Sequence, residues 1–147
     1  MSEFTISTDR AAMDATVIHH YLSEQSYWNR GVTYDNVVKA LDNSLCFGGF
    51  VDGRQVAFGR VVTDRTFFAW LADIFVLPSH QGKGYSKALM AAIKAHPDLQ
   101  GLRRMFLGTL DAHGLYAQFG FVPLTVPDRW MEIRDPDVYS RAAMAPR

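Results

Sequence analysis

The chain has 147 residues, 48% of them hydrophobic and 20% charged. That is the length of one domain, with a core large enough to stand without metal or disulfide staples. Fifteen basic residues balance fifteen acidic ones, which excludes the basic excess of a general nucleic-acid or anionic-membrane binder. The single cysteine, Cys46, makes no internal disulfide and holds no metal alone, so a reducing cytoplasm is the expected compartment.

Residues 1–10 lack the apolar run of a secretion signal, and no stretch nears the length of a membrane span. One domain over residues 1–147 is expected. Phe4–Ser7 alternates as a short strand. Asp14 caps a helix to about Gln25, with Val17, Ile18, Tyr21 and Leu22 inward. An aromatic loop, Ser26-Tyr-Trp-Asn-Arg-Gly31, leads to a second helix over Tyr34–Leu41 with Val37, Val38 and Leu41 inward.

Leu45–Val51 and Gln55–Val62 flank Asp52-Gly53, the signature of a two-residue type I′ hairpin. Phe67–Val76 is apolar at nearly every position and reads as a central strand covered on both faces. Pro78 stops it. A glycine-rich loop and a helix to about Ala95 follow, with Tyr85, Ala88, Leu89, Ala92 and Ile93 inward and Lys83, Lys87 and Lys94 outward. Arg104–Leu110 reads as a strand and Gly114–Phe119 as a short helix closed by Gly120. Phe121–Leu124 and Trp130–Ile133 read as two last strands, and a surface turn of helix is expected after Asp135. The fold class is α/β: a mixed central sheet, antiparallel early, with a parallel crossover.

Chemistry concentrates in His80-Gln-Gly-Lys-Gly-Tyr-Ser86. Gly82 and Gly84 let the backbone turn sharply and expose successive N–H groups. The helix start adds free donors and the positive end of its dipole, which makes a phosphate or pyrophosphate site. The P-loop spacing is absent, and Lys87 stands where a dinucleotide-binding fingerprint needs its third glycine. What remains is Gln81-x-x-Gly84-x-Ser86, with Leu115-Tyr-Ala-Gln-Phe-Gly-Phe121 downstream.

Together these resemble the two signatures of the GNAT superfamily of N-acetyltransferases. Ser86 departs from the family's Gly or Ala, but it is small and can donate to a phosphate. The resemblance implies a single-domain GNAT fold and acetyl-CoA as acyl donor. Its pyrophosphate would lie on Gln81, Gly82, Lys83, Gly84, Tyr85 and Ser86, and its pantetheine on Phe75, Val76 and Asp111, where family members often have asparagine. It implies transfer to a primary amine by direct attack, and it allows a homodimer.

Such chemistry asks for a base, a donor to the thiolate and a donor to the oxyanion; each proton-transfer role is typically worth 10²–10⁴ in rate. Tyr116 is the expected proton donor. Asp73, the one charge in an apolar strand, is a candidate base, and equally suits a structural pair with Arg60. His113 is a rival base beside the short helix. Tyr27, Trp28 and Arg30, with Asn29 between them, are expected in the acceptor pocket. Cys46 reads as a buried structural thiol rather than a nucleophile. The histidines have no metal-ligand spacing, and no metal is expected. Neutral charge favours a small-molecule acceptor. A sensor that binds coenzyme A or a nucleotide without catalysis, and an acyltransferase with another donor or a protein acceptor, are the alternatives.

Overall fold

In the computed structural model, which describes residues 3–140, five strands lie in the order β1-β2-β3-β4-β5. They are β1 Phe4–Ser7, β2 Leu45–Val51, β3 Arg54–Thr63, β4 Phe68–Val76 and β5 Arg104–Phe106. The first three pairings are antiparallel and β4–β5 is parallel, so the sheet is mixed, as expected. Asp52 (φ 52°) and Gly53 (φ 75°) are both left-handed, the requirement of the type I′ turn joining β2 to β3.

Beyond β1, the Asp14 carboxylate accepts from the Thr16 and Val17 N–H groups and opens α1, Ala15–His20. The helix then widens into a π-helical turn, Tyr21–Gln25, in which Ser26 N–H donates to Tyr21 C=O at 2.9 Å. Thr33 caps α2, Tyr34–Asp42. These helices bury Ile18, Leu22, Val37 and Leu41 against Phe58, Phe75 and Cys46 on one sheet face. On the other face α3, Tyr85–Ala95, buries Leu89, Met90 and Ile93 against Phe47, Val61, Ala69 and Leu71. Each such side chain stabilises the fold by about 2 kcal/mol. Met90 joins the helix stripe that periodicity assigned to Ala88 and Tyr85, which are only half-buried.

As expected, β4 lies inside the sheet, between β3 and β5, and gives Phe75 to one core layer and Ala69 and Leu71 to the other, although Trp70 is 42% exposed. Two expectations are corrected. Strand β5 is three residues long instead of seven, because β4 and β5 pair only from Phe68↔Arg104 to Trp70↔Phe106. Among the described residues no strand forms at Phe121–Leu124 or Trp130–Ile133. Pro123 and Pro127 remove ladder donors and restrict the residues before them. Val122, Met131 and Ile133 are exposed. This stretch returns to β5 by side chains alone: Trp130 packs on Phe106 (5.4 Å) and under the Arg104 guanidinium (4.6 Å). Residues 138–140 are helical, and the tail from residue 141 lies outside the described residues. No described helix is long and apolar enough to cross a membrane.

Candidate active site

The site is built around an irregularity in β4. Phe58 faces Phe75 and Arg60 faces Ala72, so β4 holds one residue too many for β3. The surplus is taken up at Asp73, whose φ of 57° is left-handed. Side-chain alternation therefore shifts. Leu71 and Ile74, three apart, both pack on the α3 side, while Asp73 turns toward α1 and α2. Past Trp70 the strand also parts from β5. A cleft of about 1270 Å³ opens there, lined by β4, the loop before α3, residues 107–112, α4 (His113–Ala117) and the loop after α1. On its β5 side β4 keeps backbone groups with no strand partner, and these can meet a polar chain or a developing oxyanion.

At one end of the cleft stands the glycine loop. The Gln81 side chain donates to Val76 C=O at 3.0 Å and folds the loop back on the strand end. Gly82 (φ 78°) and Gly84 (φ 80°) supply the left-handed turns, and Gly84 caps α3. A Cβ at either position would meet nothing within 4 Å, so the loop's outer side is open. The first helical bond is Ala88 N–H to Gly84 C=O. The N–H groups of Tyr85, Ser86 and Lys87 therefore have no acceptor within the helix. Phe75, Val76, Gln81, Gly82, Gly84, Tyr85 and Ser86 all line the cleft; Lys83 is exposed and does not. Tyr85 is pinned by stacking on Phe4 at 4.0 Å.

Tyr116 lines the middle of the cleft from α4, edge-on to Phe121. Burial first, then the neighbouring Tyr27 and Asp111, push its hydroxyl above the ordinary tyrosine value, so it is protonated at neutral pH. Asp111 lines the same region. His113 is exposed at the start of α4 and is not among the cleft's walls.

Opposite lies the loop after α1. Ser26 is buried; its hydroxyl donates to Leu22 C=O at 2.6 Å and accepts from Asn29 N–H at 3.1 Å. Trp28 Nε1 and Asn29 Nδ2 each donate to Asp73 Oδ1 at 2.8 Å. Arg60 Nε donates to Asp73 Oδ2 at 2.7 Å, the structural pairing weighed from the sequence. Both oxygens of this buried carboxylate are thus engaged, by three donors in all. Tyr27 spans the cleft, its hydroxyl accepting from Leu110 N–H at 3.0 Å. Tyr27 and Trp28 line the cleft; Arg30 is exposed and does not.

Sequence reasoning passed over Tyr21, Trp70 and the cleft-facing role of Arg60. Tyr21 stacks on Phe75 at 4.0 Å and lines the cleft with the other two. Its inward position on the first helix was the available signal. Cys46 is buried, its thiol 3.5 Å from Leu41 C=O and pushed up to about 11 by burial, so it is no nucleophile at neutral pH.

Residues 14–121 match the sequence model of the acetyltransferase (GNAT) family. A solved chain from Xanthomonas campestris pv. campestris, provisionally named a GNAT-family acetyltransferase, is 55% identical. It superposes with a TM-score of 0.93 over 95% of this chain and 99% of that one. A Gibberella zeae protein, provisionally named an acetyltransferase, is 29% identical over 79% of this chain and 77% of its own. The aminoglycoside N-acetyltransferase AAC(6')-Iy, solved in complex with CoA, is 22% identical. It shares the fold at a TM-score of 0.62, covering 92% of this chain and 96% of that one.

Proposed function

Because the chain belongs to the GNAT acetyltransferase family, we propose that it transfers acetyl from acetyl-CoA to the primary amine of a small molecule by direct attack. The observation that carries this reading is the joint opening of one cleft to the glycine loop, the parted backbone of β4 and the Tyr116 hydroxyl. The loop from Gln81 to Ser86 takes the pyrophosphate on its free N–H groups. The pantetheine arm runs along the unpartnered side of β4 at Phe75 and Val76, with Asp111 across from it.

The amine nitrogen attacks the thioester carbon, and a β4 backbone N–H receives the developing oxyanion. The C–S bond then breaks. The sulfur takes the Tyr116 proton, and the tyrosinate recovers one from water. The amine's own proton leaves to water, because the Asp73 oxygens are occupied by three donors and His113 stands off the cleft. Asp73 instead fixes the Trp28–Asn29 loop against the strand that holds the thioester.

The test is thiol release from acetyl-CoA against a panel of amines. Release above background hydrolysis for at least one amine, cut about 10²-fold in Tyr116→Phe with coenzyme binding retained, is the expected result. A protein that only senses the coenzyme would bind it and release no thiol with any amine.

A further inference from the structure

The charged side chains in the cleft's lining are Lys39 from α2, Arg60 from β3, Asp73 from β4 and Asp111. Arg60 and Asp73 neutralise each other at 2.7 Å. Lys39 makes no ion pair among the described residues. Asp111 stands beside Tyr116.

The Arg60 guanidinium is also aimed. Its Nε is held by Asp73 and its Nη1 donates to Ser44 Oγ at 3.2 Å. Nη2 has no protein partner, yet no buried side-chain nitrogen or oxygen among the described residues lacks one. Nη2 is therefore accessible, on a side chain that lines the cleft. A guanidinium edge held in place and an ammonium without an ion pair in the same lining recognise a carboxylate. The exposed rings of Trp28 and Trp70 leave an apolar wall for the rest of the molecule.

We infer that the acceptor is a primary amine that also carries a carboxylate, an amino-acid-like molecule whose carboxylate meets Arg60 Nη2 and Lys39. This rests on the acetyl-transfer reading and names its substrate class.

The experiment uses a panel of L-amino acids, each with its carboxamide and its decarboxylated amine, together with spermidine and kanamycin. Each is assayed twice: by thiol release from acetyl-CoA, and by calorimetric binding to the CoA-loaded protein. The best amino acid is expected to outperform its own carboxamide about tenfold in both assays. Lys39→Gln, an exposed position, is expected to bring that ratio close to one, and Lys39→Glu to invert it. A carboxamide, decarboxylated amine or polyamine that does as well as the acid overturns the inference, as does a ratio that Lys39→Glu leaves untouched or the binding of no amine. Transfer to amines without carboxylate preference would leave acetyl transfer standing and remove this inference. Carboxylate-selective binding with no thiol release would remove acetyl transfer, and with it the acceptor assignment.

Discussion

Tyr116 holds its proton because burial, with Tyr27 and Asp111 nearby, raises its hydroxyl above the ordinary value. The sign of the pH dependence follows. The rate should climb above pH 7 as the amine loses its proton, and should fall only beyond the ordinary tyrosine range, where the raised Tyr116 hydroxyl ionises. A pH–rate profile of Tyr116→Phe checks this: the alkaline fall should vanish along with most of the rate. Asp73 gives a contrasting expectation. Asp73→Asn removes the ionic partner of Arg60 and loosens the Trp28–Asn29 loop, so the amine KM should rise about tenfold while the acetyl-CoA KM holds. The rise of rate with pH should persist; its loss in this variant would make Asp73 the base. The oddness of Asp73 in an apolar run was legible, and so was Arg60 as its partner. Its two donors on the Trp28–Asn29 loop were not, because they lie 45 and 44 residues away in the chain and no local pattern encodes such a contact.

At the level of elements, the legible parts were those fixed by local chemistry. The Asp52-Gly53 turn needs two left-handed residues, and α3 shows its periodicity directly. The end of β5 depends on where a bulge falls in a neighbouring strand, and that bulge sits at an aspartate rather than a glycine. The last two expected strands, one interrupted by Pro123 and the other preceded by Pro127, find no partner among the described residues. Strand β2 makes one sharp element-scale test. A Cβ on Gly49 would lie 2.4 Å from Phe4 Cζ and 2.9 Å from Ala57 Cβ. Gly49→Ala should therefore cost about 1–3 kcal/mol in urea unfolding. It should also disturb coenzyme binding through the Phe4–Tyr85 stack at the start of α3. An unchanged unfolding midpoint would mean that β1 does not bear on β2 as described.

Over the whole molecule, two apolar layers close on a sheet whose open edge region is given to the cleft. Cys46 lies in the layer beneath α1 and α2 and is the chain's one thiol. A raised thiol favours the folded state below its unfolded value, and that contribution fades as pH rises toward about 11. At pH 8 a disulfide reagent should label Cys46 only at the rate of global unfolding; rapid labelling of the native protein would contradict its burial. The account as a whole turns on one coenzyme seated across the Gln81–Ser86 loop. Its most direct test is a calorimetric titration of CoA into the folded protein and into Gly84→Val, which forces a β-branched side chain into a left-handed position. A saturable one-to-one heat for the natural sequence, weakened at least about tenfold by the substitution, is the result expected. No heat with the natural sequence, or equal affinity in both proteins, would contradict the account.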